Sequence, residues 1–272
     1  MPTETAARTG KAEPARSPFT IRRGLRYALI AQVAVAALVL LVDLGDRLPT
    51  GLGGGTTNPL TSPVLPGDQV RRHDPNRALP TFTGPSEAPT ITLPENLPPR
   101  LNFSLQTEEA QGPLIVAAGP IEPGDADRFD AFLASLAEVP GQVALHSPGG
   151  NVDEALDIGR RLRARELSTT ILPGTICLSA CPYILAAGVE RAVSLRGSVG
   201  LHQHYYETPG YMPAFLAVED IQRSQGRTME YLIEMGIDPG VMRFGLSTAP
   251  EDIYVLVEAE LIDSRMATTT LP

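Results

Sequence analysis

The spacing of apolar positions changes three times along the chain, and each change predicts a different kind of structure. Residues 27–42 are apolar apart from Gln32, and Leu44 extends the run past Asp43. With Gly24, Leu25 and Gly45 the stretch reaches the roughly 20 residues that a helix needs to cross a bilayer, which predicts a transmembrane helix over 24–45. Arg22, Arg23 and Arg26 precede the run, and Asp43 and Asp46 end it. That asymmetry puts a tail of residues 1–23 in the cytoplasm and everything beyond the helix outside it. A cleaved signal peptide is the competing reading, but 26 residues before the apolar run make a long leader, and no small-x-small site directly follows it.

Over residues 46–112 the periodicity disappears. Gly53-Gly54-Gly55 opens this stretch and ten prolines fall between Pro59 and Pro99, which reads as an extended linker that holds a domain off the membrane. His73 lies inside it and reads as a solvated linker histidine.

From residue 113 to 272 the pattern is that of a folded domain. Leu114–Ala118 is a short apolar run, a buried strand. Gly124-Asp125 then opens a helix whose apolar residues Phe129, Phe132, Leu133 and Leu136 recur at helical spacing. Gln142–His146 reads as the next strand, ending at Ser147-Pro148-Gly149-Gly150. A second helix carries Val152, Ala155, Leu156, Gly159 and Leu162 on one face. Further strands are expected at Thr169–Leu172, Ala192–Leu195 and Val199–His202, with a buried helix at Ala180–Gly188. A long helix over about 213–235 and a short helical or mixed segment close the chain. Strands alternating with helices imply an α/β fold with a mostly parallel sheet.

Candidate chemistry collects at the strand ends, where open α/β sheets carry their functional loops. Ser179 stands at the start of the Ala180–Gly188 helix, where free N–H groups and the helix dipole favour negative charge beside a nucleophile. The glycine pair leaves the backbone bare, so the Gly150 and Ala180 N–H groups are candidates for an oxyanion hole. A tight turn and an ordinary helix cap would explain the same residues. Composition narrows the base. The chain has one lysine, Lys11, on the cytoplasmic side, so a serine–lysine dyad in the domain is excluded. Beyond the linker the histidines are His146, His202 and His204. His202 is the candidate general base, and His146 is expected to satisfy a buried hydrogen bond. His202 and His204 could also be two metal ligands on one strand face, but no third ligand has suggestive spacing, so no metal site is expected.

Net charge is −9 overall. Residues 1–26 carry five arginines and Lys11 against Glu4 and Glu13, a local +4, which leaves −13 for the rest. Such a balance argues against a nucleic-acid partner.

The order Ser147-Pro-Gly-Gly150, Ser179 followed by Ala186-Ala187-Gly188, then His202-Gln203 resembles the Clp protease proteolytic subunit family, of the ClpP/crotonase superfamily, in an exported, membrane-anchored branch. The resemblance covers about residues 113–268. It implies a ClpP/crotonase-like repeated ββα spiral, with Ser179 as nucleophile, His202 as base and a later acid orienting the histidine. That acid maps onto Asp252, with Glu251 the neighbouring alternative. Gly226-Arg227-Thr-Met-Glu230 matches the end of the family's "handle" helix. Trimers and rings among the relatives imply a homo-oligomer.

Two departures from the family matter. Cys177 and Cys181 flank the serine. Outside the cytoplasm, cysteines four residues apart can pair, since a helical i, i+4 separation lies near 6 Å, inside the tolerated range. Two buried thiols are the other reading. The region that docks an unfoldase is replaced by the anchor and linker, so no ATPase partner is expected. The resulting expectation is a membrane-anchored, extracytoplasmic serine peptidase that needs no metal or organic cofactor. Its substrate is a peptide or protein, paired as an added strand against Gly149, Asn151 and Val152. A non-catalytic peptide-binding module on the same fold is the alternative. A crotonase-like acyl-CoA enzyme is a third reading, disfavoured because coenzyme A is cytosolic.

Overall fold

The computed structural model describes residues 21–47, 69–73, 97–108, 112–204 and 214–272. It divides into two units, residues 1–56 and 57–272. The first contains one described element, helix α1 (Ile21–Arg47). At 1.5 Å per residue its 27 residues run about 40 Å. Leu25, Leu29, Ile30, Val33, Leu38 and Leu41 on it are all exposed. The segment expected to span a membrane, 24–45, lies on this helix. Among the described residues, however, no helix is long and apolar enough to cross a membrane. The described side chains of α1 are 22–39 and 41, and they begin with the three arginines.

The second unit is an α/β fold with two sheets. In chain order its elements are β1 (Val70–Arg72), β2 (Asn102–Glu108), β3 (Gly112–Ala118), α2 (Asp125–Ser135), β4 (Gln142–His146), α3 (Val152–Ala164), β5 (Ser168–Ile171), β6 (Ile176–Leu178), α4 (Cys181–Ala186), β7 (Arg191–Ser194) and β8 (Ser198–Leu201). There follow α5 (Ala214–Glu234), a 3-10 turn at Pro239–Val241, α6 (Met242–Leu246), β9 (Asp252–Val255), α7 (Glu258–Asp263) and β10 (Thr269–Leu271). The larger sheet runs β10-β7-β5-β4-β3-β2 and is parallel except for the β2–β3 hairpin. The smaller runs β1-β9-β8-β6, with β9 antiparallel to both its neighbours.

The main core lies between the large sheet and helices α2, α3 and α4. Phe129 and Leu133 of α2, with Leu156, Ile158 and Leu162 of α3, are buried there. Each such side chain stabilises the fold by about 1.5–3 kcal/mol relative to exposure. All six residues of α4 are buried, and Pro182 sits in its first turn, where no intrahelical donor is lost. Helix starts are tied to one another. The Asn151 side chain caps α3 by accepting the Glu154 N–H, and the Glu154 carboxylate accepts the Gly124 and Ala126 N–H groups at the start of α2. Asp125, fully buried, is satisfied by Arg100, Arg128 and the Glu122 N–H.

One expectation is corrected here. The stretch 46–112 is not linker throughout: β1 and β2 lie within it, β1 pairing with β9 far along the chain and β2 forming a hairpin with β3. Alternating polar and apolar residues in Asn102–Glu108 are a strand signal that the surrounding prolines obscure. The end of the chain, expected to be helical or mixed, is mixed: β9, α7 and β10. Asp252 therefore begins a strand and does not stand at a helix start.

Candidate active site

Ser179 follows β6 and precedes α4 in a turn tight enough to give it φ 58°, one of three non-glycine residues with positive φ among the described residues. Its N–H donates to the Gly200 carbonyl at 2.9 Å, which fastens the turn to β8. A strained turn between strand and helix projects the side chain away from the backbone on either side.

His202 follows β8 directly, and β8 is parallel to β6. The two strands therefore end at the same side, and His202 Nε2 lies 2.7 Å from Ser179 Oγ. Its other nitrogen, Nδ1, lies 2.8 Å from the Pro250 carbonyl oxygen. A carbonyl can only accept, so Nδ1 carries the proton and Nε2 is the acceptor for the serine hydroxyl. The imidazole is thus held in the tautomer a general base requires. Burial is the main influence on its titration and lowers its pKa below the ordinary histidine value; the Pro250 and Asp252 backbone contacts partly oppose this.

The carboxylates expected against His202 are elsewhere. Asp252 pairs in register with Arg72 of β1, and its carboxylate is 3.9 Å from the Arg72 guanidinium. Glu251 is exposed and contributes its backbone carbonyl, which accepts the His73 N–H. The position against Nδ1 belongs to the Pro250 carbonyl. The physical reason is the turn before β9: the Asp252 N–H donates to the Ala249 carbonyl, Pro250 lies within that turn, and Asp252 itself is paired with Arg72 of β1.

The glycine loop packs directly on the serine turn. A Cβ at Gly149 would lie 2.5 Å from Ser179 Cβ and 2.9 Å from the Ala180 nitrogen. Ile121 pairs with this loop as an isolated parallel bridge: its N–H donates to the Gly149 carbonyl, and its carbonyl accepts the Asn151 N–H, both at 2.8 Å. Groups at 149 and 151 thus face Ile121, and in extended backbone the N–H and carbonyl of Gly150 point to the opposite side. Among the described residues neither the Gly150 nor the Ala180 N–H donates a hydrogen bond. The same bridge corrects the strand-addition surface expected at Gly149, Asn151 and Val152. The Gly149 carbonyl and Asn151 N–H are already occupied, leaving Gly150 as the residue with outward backbone groups. Asn151 and Val152 line a polar groove of about 540 Å³, together with Asp153, His204, Arg223 and Arg227.

Cys177 and Cys181, both fully buried, are joined in a disulfide that brackets the serine turn. His146 is fully buried, and its Nδ1 accepts the Ile176 N–H. Burial pushes its pKa down to about 4. His204 lies 2.8 Å from the Tyr183 hydroxyl, with burial and the nearby His202 pushing its pKa to about 4. His202 and His204 therefore serve different partners. An apolar cavity of about 140 Å³ opens beside them, bounded by Tyr183, Leu201, Ile221, Leu232 and Met242.

Sequence reasoning missed three participants: the Pro250 carbonyl, Tyr183 and His73. No side-chain pattern marks a backbone carbonyl, and Tyr183 reads as one more core residue. His73, expected to be solvated, has its ring centroid 4.8 Å from that of His202.

Compared with known proteins, the chain matches no family model and no curated sequence.

Proposed function

We propose that this chain is a serine hydrolase, most simply a peptidase, with a fold of the ClpP/crotonase-like ββα type. The observation that carries the reading is the 2.7 Å contact between Ser179 Oγ and His202 Nε2, with the tautomer set by the Pro250 carbonyl. In this mechanism His202 Nε2 takes the hydroxyl proton as Ser179 attacks a carbonyl carbon. The Gly150 and Ala180 N–H groups receive the oxyanion. His202 then returns the proton to the leaving group, and water repeats the sequence on the acyl-enzyme. The apolar cavity beside His202 suits a hydrophobic side chain of the substrate, and the polar groove beyond Gly150 suits its extended backbone. Residues 24–45 are proposed to anchor the protein with its N-terminus in the cytoplasm and its domain outside. The exposed apolar side chains of α1 and the flanking arginines support that placement.

A peptide-binding module without turnover is the second reading, and one observation favours it: among the described residues no carboxylate stands on Nδ1 to stabilise an imidazolium. A fluorophosphonate probe separates the two. The hydrolase reading expects labelling at Ser179 that disappears in Ser179→Ala and falls nearly as far in His202→Ala. A wild-type protein that takes up no label sinks it.

A further inference from the structure

His202 is held at both nitrogens by contacts in the plane of its ring, one to Ser179 and one to Pro250. Two in-plane contacts leave the ring free to rock about the line joining them. The bond to the Pro250 carbonyl is also neutral, and weaker than one to a carboxylate would be. A histidine restrained in this way needs packing on its face or edge.

That packing comes from the segment between α1 and the domain. β1 is only three residues long, yet both its ends are tied to β9. The Val255 N–H donates to the Gln69 carbonyl at 2.8 Å, and the His73 N–H to the Glu251 carbonyl at 3.0 Å. Arg71, in the middle, is fully buried and pairs in register with Ile253. Because β1 runs antiparallel to β9, it ends where β9 begins, beside Pro250. The His73 ring meets the His202 ring edge to face, with planes at 64° and centroids 4.8 Å apart. This is direct aromatic packing.

We infer that His73 is a positioning residue for His202, steadying the imidazole with Nε2 on Ser179 from a strand far upstream in the chain. The inference rests on the reading of Ser179 and His202 as a catalytic pair. His73 itself touches no reacting atom.

The test uses the full chain with His73→Ala and His73→Phe, the second keeping a flat ring without its nitrogens. The chain has four histidines, so the imidazole signals of His202 can be assigned in 15N-labelled protein by single substitutions. The expected result is a single Nδ1-protonated tautomer in the wild type and in His73→Phe. In His73→Ala the same signals should broaden and average. Labelling of Ser179 by a fluorophosphonate should slow by roughly 10–100-fold in His73→Ala and stay within about threefold of wild type in His73→Phe, as expected for a displaced catalytic group. With p-nitrophenyl acetate the loss should sit in kcat and leave KM unchanged. Unchanged His202 signals in His73→Ala overturn the proposal, as does a His73→Phe protein that behaves like His73→Ala. If the signals move as expected but wild-type Ser179 never labels, the positioning role stands and the hydrolase reading falls.

Discussion

The two sheets of the domain are built on different principles. The six-stranded sheet is assembled largely from neighbours in sequence: β3, β4, β5 and β7 are joined by crossovers and lie nearly in chain order. The four-stranded sheet takes β1 from the segment before the domain, β6 and β8 from its middle and β9 from near its end. Yet Ser179, His202 and the groups that contact His202 all belong to one end of this smaller sheet. Ser179 follows β6, His202 follows β8, Pro250 precedes β9 and His73 follows β1. The large sheet supplies one part, the glycine loop after β4. A locally built sheet provides stability, and a sheet gathered from afar brings distant side chains together.

If that division holds, the largest effect outside the serine–histidine pair should come from the part that the large sheet supplies, the glycine loop after β4. Gly150 has φ 138°, and a Cβ there would lie 2.2 Å from the Ile121 carbonyl oxygen. Gly150→Ala must therefore break the Ile121 bridge and turn the Gly150 N–H away. Activity toward p-nitrophenyl acetate should fall by about 10²–10³, the usual loss for one oxyanion donor. Circular dichroism would check that the fold survives. A variant with near-normal kcat would show that Gly150 supplies no donor.

The same contrast accounts for what the sequence could tell. Strands β3, β4, β5, β7 and β8 and helices α2, α3 and α5 were legible within a few residues: the helices repeat their apolar residues at helical spacing, and the strands are short runs buried on both faces. Ser179 and His202 were legible because a serine at a helix start and a histidine at a strand end keep their chemistry in their identity. β1, β9 and β10 were not. Only pairing with distant strands makes them strands. The different placing of Asp252, against Arg72, has the same root. A carboxylate in the right stretch looks like a catalytic acid until the strand register shows that its backbone neighbour faces the histidine.

The next effect sets two histidines against each other, one ending a strand of each sheet. His146 ends β4 and is buried with its pKa pushed to about 4. Its folded pKa lies below the unfolded value of 6.5. The neutral ring therefore stabilises the fold fully above about pH 6.5, and that stability is lost as pH falls toward 4. From pH 7 to pH 5 this one group should cost about 2 kcal/mol in urea denaturation. His146→Gln should flatten the dependence. Burial also lowers the pKa of His202, but there the consequence is catalytic. The acidic limb of kcat/KM should turn below 6.5, since the base stays neutral to lower pH than a free imidazole. A limb centred above 6.5 would mean that a carboxylate reaches His202 in the working enzyme.

The smallest effect should come from Asp252, the residue onto which the family resemblance maps the orienting acid. Asp252 lies opposite Arg72, across a pair that is largely exposed. Exposed pairs contribute about 0–1 kcal/mol. If the Pro250 carbonyl is what holds Nδ1, Asp252→Asn removes only that pair. Its kcat should stay within about threefold of wild type, a change of no more than about 0.7 kcal/mol in the barrier. An orienting carboxylate behaves quite differently: its amide replacement presents the wrong tautomer and costs on the order of 10⁴. The two outcomes are separated by three decades, so p-nitrophenyl acetate kinetics on Asp252→Asn and, in parallel, Glu251→Gln decide between them. A loss of 10² or more in Asp252→Asn alone would mean that its carboxylate swings from Arg72 onto His202 when substrate binds, displacing the Pro250 carbonyl. In that case β1 would be held less firmly at the very moment of reaction, and the packing of His73 on His202 would have to loosen with it.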